Sequence, residues 1–425
     1  MFQDTNITPY KLFNYIMIVY LISALHKLID SIIFSISSLD GFGITDFFIN
    51  YQGGYVRRGL LGEILYQYSL IANQTPILLI IIISLLSFII VCIFFTYQFK
   101  KNQIYWWILP LSFTLLGGEI IRKDYLCMIF VILILYTLKS NFNKFIKVFF
   151  IYILSILLWN LHEAFFFVIG PFMIGNIIND TKISKYISIR IITIIPILFF
   201  FLYTCYYKGN IQIAQSIQSS WHILFPNDFT NEIKFNSIGA IGWNTIDTIK
   251  FHIQRNFGFE SNISGLLVRP ISFILVYYVV SRYFFIFVGN NIPWKYKENS
   301  LFSTLLIFQF LSLSPLFLLF SCDYSRIFMY WTISTLSIFL IFGTEEKYYF
   351  LPQKTIYWIR NINNGIDRFL NWISIPQKQF ICLIILFLGI SPFNFSFDRA
   401  ISNSVIGTIL TEISKLILYL KNLIL

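Results

Sequence analysis

Four short stretches hold the residues that could do chemistry. The first, Asp46 to Gln67, reads DFFINYQGGYVRRGLLGEILYQ and sets the adjacent arginines Arg57 and Arg58 between Asp46 and Glu63. The second is GGEIIRKDY, Gly117 to Tyr125, with Glu119, Arg122, Lys123 and Asp124. In the third, WNLHEAFFF, His162 and Glu163 separate two apolar runs, and in the fourth, CDYSRIF, Asp323 and Arg326 lie three apart. Arginine offers a planar fork of donors that suits phosphate or carboxylate. A carboxylate or histidine held near such a fork can take a proton, and a neighbouring glutamate can raise a histidine's basicity. The chemistry expected is therefore anion binding by Arg57, Arg58, Arg122 and Arg326, with Glu63, Glu119, Asp124 and Asp323 completing the walls. Proton acceptance falls to Asp46, His162 or Glu163.

Each stretch also has a plainer reading. Arg57 and Arg58 could hold lipid headgroups beside a short helix whose apolar face is Leu60, Leu61, Ile64 and Leu65. Glu119 and Asp124 could neutralise Arg122 and Lys123 within their own turn, and Asp323 could pair locally with Arg326 on one helix face. His162 and Glu163, adjacent on the chain, are expected to serve different partners. Four glycines punctuate the first stretch. Gly53 and Gly54 suit tight turning, while Gly59 and Gly62 suit a helix lying close against its neighbours.

These stretches are positioned by elements of one kind. The 425 residues are 57% hydrophobic and 12% charged, with a mean hydropathy of +0.72, and apolar runs near twenty residues recur. The chain is expected to be an all-α, polytopic integral membrane protein, a single transmembrane domain over 1–425. About eleven spans are expected: Leu12 to Phe34, Pro76 to Tyr97, Ile104 to Leu116, Tyr125 to Leu138, Phe145 to Trp159, Phe165 to Ile178, Ile191 to Tyr207, Ile271 to Phe287, Leu301 to Phe320, Ile327 to Phe342 and Phe380 to Phe393. The first is read as uncleaved, because His26, Lys27 and Asp30 follow its apolar run where a cleavage site needs small residues. Residues 38–75 form the first outer loop with its re-entrant or juxtamembrane helix, 208–269 a long outer loop, 344–379 a cytoplasmic interfacial segment and 396–425 an outer amphipathic tail.

Orientation follows from charge. Lysines gather in one set of short loops, near positions 11, 100–101, 139–147, 182–185, 295–297 and 347–378. That set is cytoplasmic by the positive-inside rule, so the N-terminus is inside. The net charge of +11 is then topology and not a sign of nucleic acid. Arginines 57, 58, 122, 255, 269, 326 and 399 fall on the other side, where short loops otherwise avoid positive charge. In the long outer loop, Trp221, His222 and Trp243 stand among acids and amides, a mixture that sugar recognition uses. The five cysteines show no ligand spacing and read as small core residues, no metal is expected, and no nucleotide loop, HExxH or nucleophile elbow occurs.

The layout resembles the membrane glycosyltransferases of the GT-C fold that use polyprenyl-linked sugars. The resemblance rests on an acid-bearing first outer loop, on RKDYLCMIF with its acid leading into a span, and on a long later outer loop. In that pattern Asp46 or Asp40 holds the first-loop position. The composition, rich in Ile, Phe, Tyr, Asn and Lys, is similar to the Wzy-type O-antigen and capsule polymerases, although those concentrate repeated arginine motifs in large outer loops and here the arginines are scattered. The resemblance implies an O-antigen or capsule polymerase in the bacterial inner membrane with a periplasmic active face. Its substrates would be undecaprenyl-diphosphate-linked oligosaccharides within membrane lipid, with no cofactor and with a chain-length regulator as partner. A transferase adding one sugar to O-antigen from a polyprenyl-phosphate donor is the nearest alternative, and a lipid-linked glycan transporter or flippase is the alternative of another class.

Overall fold

The computed structural model describes residues 41–101, 120–180, 185–257, 296–320, 323–343, 352–372 and 405–424, with a few single residues between them. It is all-helical, with 80% helix and, among the described residues, no strand. A one-turn helix α1 (Phe42–Thr45) continues into a 3-10 turn (Asp46–Phe48). After it come α2 (Gly59–Ala72), α3 (Ile77–Lys101), α4 (Asp124–Lys139), α5 (Lys144–Leu161), α6 (Phe165–Asn179) and α7 (Ile187–Tyr206). The long loop holds α8 (Ile211–Leu224), α9 (Ser237–Ile241) and α10 (Thr245–Phe257). The rest is α11 (Tyr296–Pro315, then a π turn, Leu316–Phe320), α12 (Tyr324–Phe342), α13 (Gln353–Trp372) and α14 (Val405–Ile424).

Among the described residues, four stretches are long and apolar enough to cross a membrane: Ile77–Gln98 in α3, all of α5 and α7, and Phe302–Phe320 in α11. They hold 18 to 22 residues, and at a rise of 1.5 Å per residue the shortest reaches about 27 Å, close to the thickness of a hydrocarbon core. Helix α6 and the Arg326–Phe342 part of α12 are apolar but shorter. Helices of this length and composition are those of a membrane protein. The expected spans at Leu12 to Phe34, Ile104 to Leu116, Ile271 to Phe287 and Phe380 to Phe393 lie outside the described residues, as do Asp40 and Glu119.

The helices α4, α6 and α12 form the centre. Tyr125, Met128, Val131 and Leu135 of α4, Phe165, Ile169 and Phe172 of α6, and Ile327, Trp331 and Ile338 of α12 are all buried. Helices α3 and α7 lie at the rim and turn Leu78, Leu86 and Ile93, and Ile192, Ile195, Phe199 and Leu202, outward. An apolar exterior of this kind suits lipid, which has no hydrogen bonds to offer.

Two opposite ends follow from the antiparallel packing of α4 with α5 and of α11 with α12. At one end, basic side chains meet helix C-termini, where carbonyls lack partners and the helix dipole is negative. Lys147 donates to the Leu138 carbonyl at 2.8 Å and pairs with Asp180 at 3.0 Å. Lys139 donates to Ile341 O and Arg190 to Ile178 O. At the other end the N-termini of α4, α6 and α12 come together with that of α2, and the described residues of the four chemical stretches lie there.

The first stretch is built by its glycines. A Cβ on Gly62 would sit 1.8 Å from the Ile49 carbonyl oxygen, and one on Gly59 would sit 2.3 Å from the Tyr51 ring. The close approach of α2 to the Phe47–Ile49 backbone thus needs Gly62 bare, and the seat of the Tyr51 ring needs Gly59 bare. Gly54 has φ +111, which an L side chain rarely adopts. One expectation is corrected here: the buried face of α2 is Leu61, Gly62, Leu65 and Ser69, while Ile64 is 56% exposed. Docking on Gly62 rotates the helix away from the face that its apolar spacing suggested.

Candidate functional site

Two bidentate ion pairs frame the cluster. Arg58 donates from Nε and Nη2 to the two oxygens of Glu163 at 2.8 and 2.6 Å. Arg326 donates from Nε and Nη2 to the two oxygens of Asp124, both at 2.7 Å. Charge-assisted forks of this length are among the strong hydrogen bonds. His162 joins them: Arg326 Nη2 lies 2.8 Å from its Nε2. The guanidinium can only donate, so the neutral imidazole carries its proton on Nδ1, on the side of Glu163 Oε2 at 4.0 Å. The Ala164 N–H also points at Nδ1, from 3.3 Å, so both ring nitrogens face donors and the imidazole accepts the shorter, charge-assisted bond.

The remaining charged groups attach singly. Arg57 Nη1 lies 3.0 Å from Glu163 Oε1, and Arg122 Nη1 lies 3.3 Å from Asp323 Oδ2. Asp46 has Arg58 Nη1 and Lys123 Nζ each at 3.6 Å, and its Oδ1 is buried without a hydrogen-bond partner. Lys123 is 1% exposed and donates to the Arg58 carbonyl at 2.9 Å. That contact braces Arg58, which sits in the left-handed region at φ 65 as the residue preceding α2. A non-glycine residue pays roughly 1–2 kcal/mol there, so the surrounding pairs must hold it in place.

Sequence reasoning had these residues converging, and the structure brings Asp46, Arg57, Arg58, Arg122, Asp124, His162, Glu163, Asp323 and Arg326 to one end of the fold. Their partners differ from the local ones expected. Arg122 reaches Asp323, Asp124 reaches Arg326, and Lys123 reaches Asp46. Asp323 accepts the Arg326 backbone N–H at 3.4 Å and so caps α12. Glu63 serves the loop itself, accepting the Tyr51 N–H at 2.9 Å and Gln67 Nε2 at 2.8 Å. Two participants were missed as site residues. Lys123 was read only as a local counter-ion, and Tyr330 donates to Asp124 Oδ1 at 2.7 Å. The spacing of Tyr330, four residues after Arg326 on one helix, was the available signal.

Protonation follows from this crowding. Burial, then the charges of Arg58 and Arg326, push His162 down to about 3, against the expectation that Glu163 would raise it. Burial raises the Asp46 carboxyl, but Lys123 and Arg58 together hold it below its ordinary value. Glu163, also raised by burial, is held well below the usual range by Arg57 and Arg58. At neutral pH the site therefore has ionised carboxylates and a neutral imidazole. Its carboxylates already neutralise cations, and among the described residues no group of three or more His, Cys, Asp or Glu is set to hold a metal ion.

The long loop departs from the sugar-platform expectation. Trp221 is fully buried, donates Nε1–H to the Phe48 carbonyl at 2.7 Å and packs edge-on against the Phe48 ring. His222 contacts the Phe229 carbonyl, and Trp243 packs with Phe235 and Phe251. With Asn50 donating to Ser220 at 3.0 Å, α8 is a clamp under the Asp46 turn. Cys127 is buried and Cys92 and Cys205 are partly so, all three free. Comparison of the chain with protein-family models, curated proteins and solved structures finds no match.

Proposed function

We propose that this protein is a membrane glycosyltransferase of bacterial surface-polysaccharide assembly, an O-antigen or capsule polymerase that joins undecaprenyl-diphosphate-linked repeat units. The observation that carries the reading is Asp46: a buried carboxylate oxygen with no hydrogen bond, set among basic side chains where four helix N-termini converge. The other two candidate bases fit less well. Glu163 is clamped through both oxygens, and His162 has its Nε2 lone pair facing Arg326.

In the reaction proposed, an acceptor sugar hydroxyl attacks the anomeric carbon of the donor glycan. The new C–O bond forms as the bond from that carbon to the diphosphate oxygen breaks. The electron pair leaves with undecaprenyl diphosphate, and the hydroxyl proton passes to Asp46 Oδ1. Arginine charge and helix N-termini stabilise the departing diphosphate, so positioning and electrostatics supply most of the acceleration. In this reading the chain has about eleven spans, lies in the inner membrane with its N-terminus in the cytoplasm, and opens the cluster to the periplasm.

A specific observation favours one second reading. Among the described residues five cations (Arg57, Arg58, Arg122, Lys123 and Arg326) meet four carboxylates (Asp46, Asp124, Glu163 and Asp323). So small an excess also suits the single phosphate of a polyprenyl-phosphate sugar donor. Purified protein in lipid discs, supplied with undecaprenyl-diphosphate-linked repeat units, separates the two. A polymerase yields lipid carrying two units with release of one undecaprenyl diphosphate per linkage. Activity only with a polyprenyl-phosphate sugar, one residue added per acceptor, would overturn the polymerase reading.

A further inference from the structure

We propose that Arg57 is the side chain that grips the substrate phosphate, by leaving Glu163, and that Glu163 is an internal counter-ion that keeps the grip aimed until substrate arrives. The inference rests on the lipid-diphosphate reading above and assigns different tasks to two adjacent arginines.

Arg58 is held from several sides. Its fork takes both oxygens of Glu163, a third nitrogen faces Asp46, and its carbonyl accepts from Lys123. Moving it would break the frame and release a buried carboxylate. Arg326 is fixed in the same way by Asp124, Tyr330 and His162. Arg57 differs. Its side chain is 30% exposed, and its ion pair is made by one nitrogen to Glu163 Oε1 at 3.0 Å, an oxygen that Arg58 already holds at 2.6 Å.

Two guanidiniums on one oxygen repel each other, and the farther one is the replaceable one. When Arg57 turns to an incoming phosphate, Glu163 stays neutralised through Arg58, so the exchange leaves no buried charge unpaired. The backbone stays behind, because the Arg57 N–H is tied to the Tyr207 carbonyl at 2.8 Å. The exchange is therefore a side-chain swing and needs no helix movement.

The test is the melting temperature of the full-length protein in detergent, titrated with inorganic diphosphate. Diphosphate is expected to raise the wild-type melting temperature. Arg57→Gln should need at least tenfold more diphosphate for the same rise, and Arg57→Lys should fall between. Glu163→Gln should melt lower without ligand yet half-saturate at severalfold lower diphosphate, a gain that adding Arg57→Gln should abolish, whereas simple relief of repulsion would survive it. An Arg57→Gln titration matching wild type overturns this proposal and leaves the lipid-diphosphate reading standing. A wild type that ignores diphosphate overturns that reading, and this proposal with it. Phosphatidylglycerol producing the same Arg57-dependent rise would make Arg57 a headgroup anchor and overturn the grip.

Discussion

Asp46 and Glu163 both lie beside Arg58, yet their surroundings give them different sensitivities. Asp46 keeps its neighbours at 3.6 Å, so Asp46→Asn should remove the proton acceptor, cutting glycan transfer by roughly 10²–10⁴-fold. Its cost in stability should be about 1–3 kcal/mol, that of weakening a buried polar contact. Asp124→Ala strips Arg326 of a bidentate partner and should cost more, about 3–5 kcal/mol, which thermal unfolding of the two variants in detergent compares directly. His162 gives a pH signature. It titrates near 3 when folded and near 6.5 when unfolded, so between those values the unfolded chain binds more protons and stability rises with pH. The contribution is complete above pH 6.5 and drains by roughly 1.4 kcal/mol per unit as pH falls toward 3. Melting temperatures from pH 4 to 7.5 should therefore slope less in His162→Gln than in wild type, and equal slopes would contradict a neutral buried imidazole. Much of the residue scale was legible: the charged stretches singled out in the sequence meet at one end of the fold. Their pairing was not, because Arg58 and Glu163 stand 105 positions apart and Arg326 and Asp124 stand 202 apart, and nothing local in a sequence ranks such partners above near ones.

Among the elements, α2 is the one whose seat fixes the site, because it carries Arg58 at its start and rests through Gly62 on the Asp46 turn. A methyl group at Gly62 has no room, with Ile49 O at 1.8 Å and Phe47 O at 2.8 Å. Gly62→Ala should therefore lose about 3 kcal/mol or more, as overpacking against rigid backbone does, and activity should fall with it. Gly365, inside α13, meets nothing within 4 Å, so Gly365→Ala should gain about 1 kcal/mol from helix propensity. Thermal melts of the two variants should move in opposite directions; a Gly62→Ala protein as stable as wild type would mean that α2 docks otherwise. Helix positions were legible where apolar runs were long, as in α3 and α7. Burial within α2 was not, because a glycine seat and a left-handed Arg58 decide which face turns inward, and hydrophobic spacing does not record either. Trp221 shows the same limit, since an indole in a polar loop reads as a ligand platform until its partner, the Phe48 carbonyl, is known.

Over the described residues the molecule is polar in the directional sense. Basic side chains cap helix C-termini at one end, and helix N-termini with their acids and arginines gather at the other. The expected division of the chain into lysine-rich and arginine-bearing loops rests on loop charge, which is local information in a sequence. The helix dipole accounts for one end only: Lys147, Lys139 and Arg190 meet carbonyls at helix C-termini, whereas at the other end five cations outnumber four carboxylates beside helix N-termini, against the dipole. In the proposed reaction the Asp46 cluster forms glycosidic bonds between lipid-linked repeat units. Its most direct test is the length of surface polysaccharide on a gel, in a strain lacking the gene and complemented with wild type or Asp46→Asn. Wild type should restore the ladder, and Asp46→Asn, present at wild-type level in the membrane, should leave a band of core plus one unit. A full ladder with Asp46→Asn, or an unaltered ladder when the gene is deleted, would contradict it.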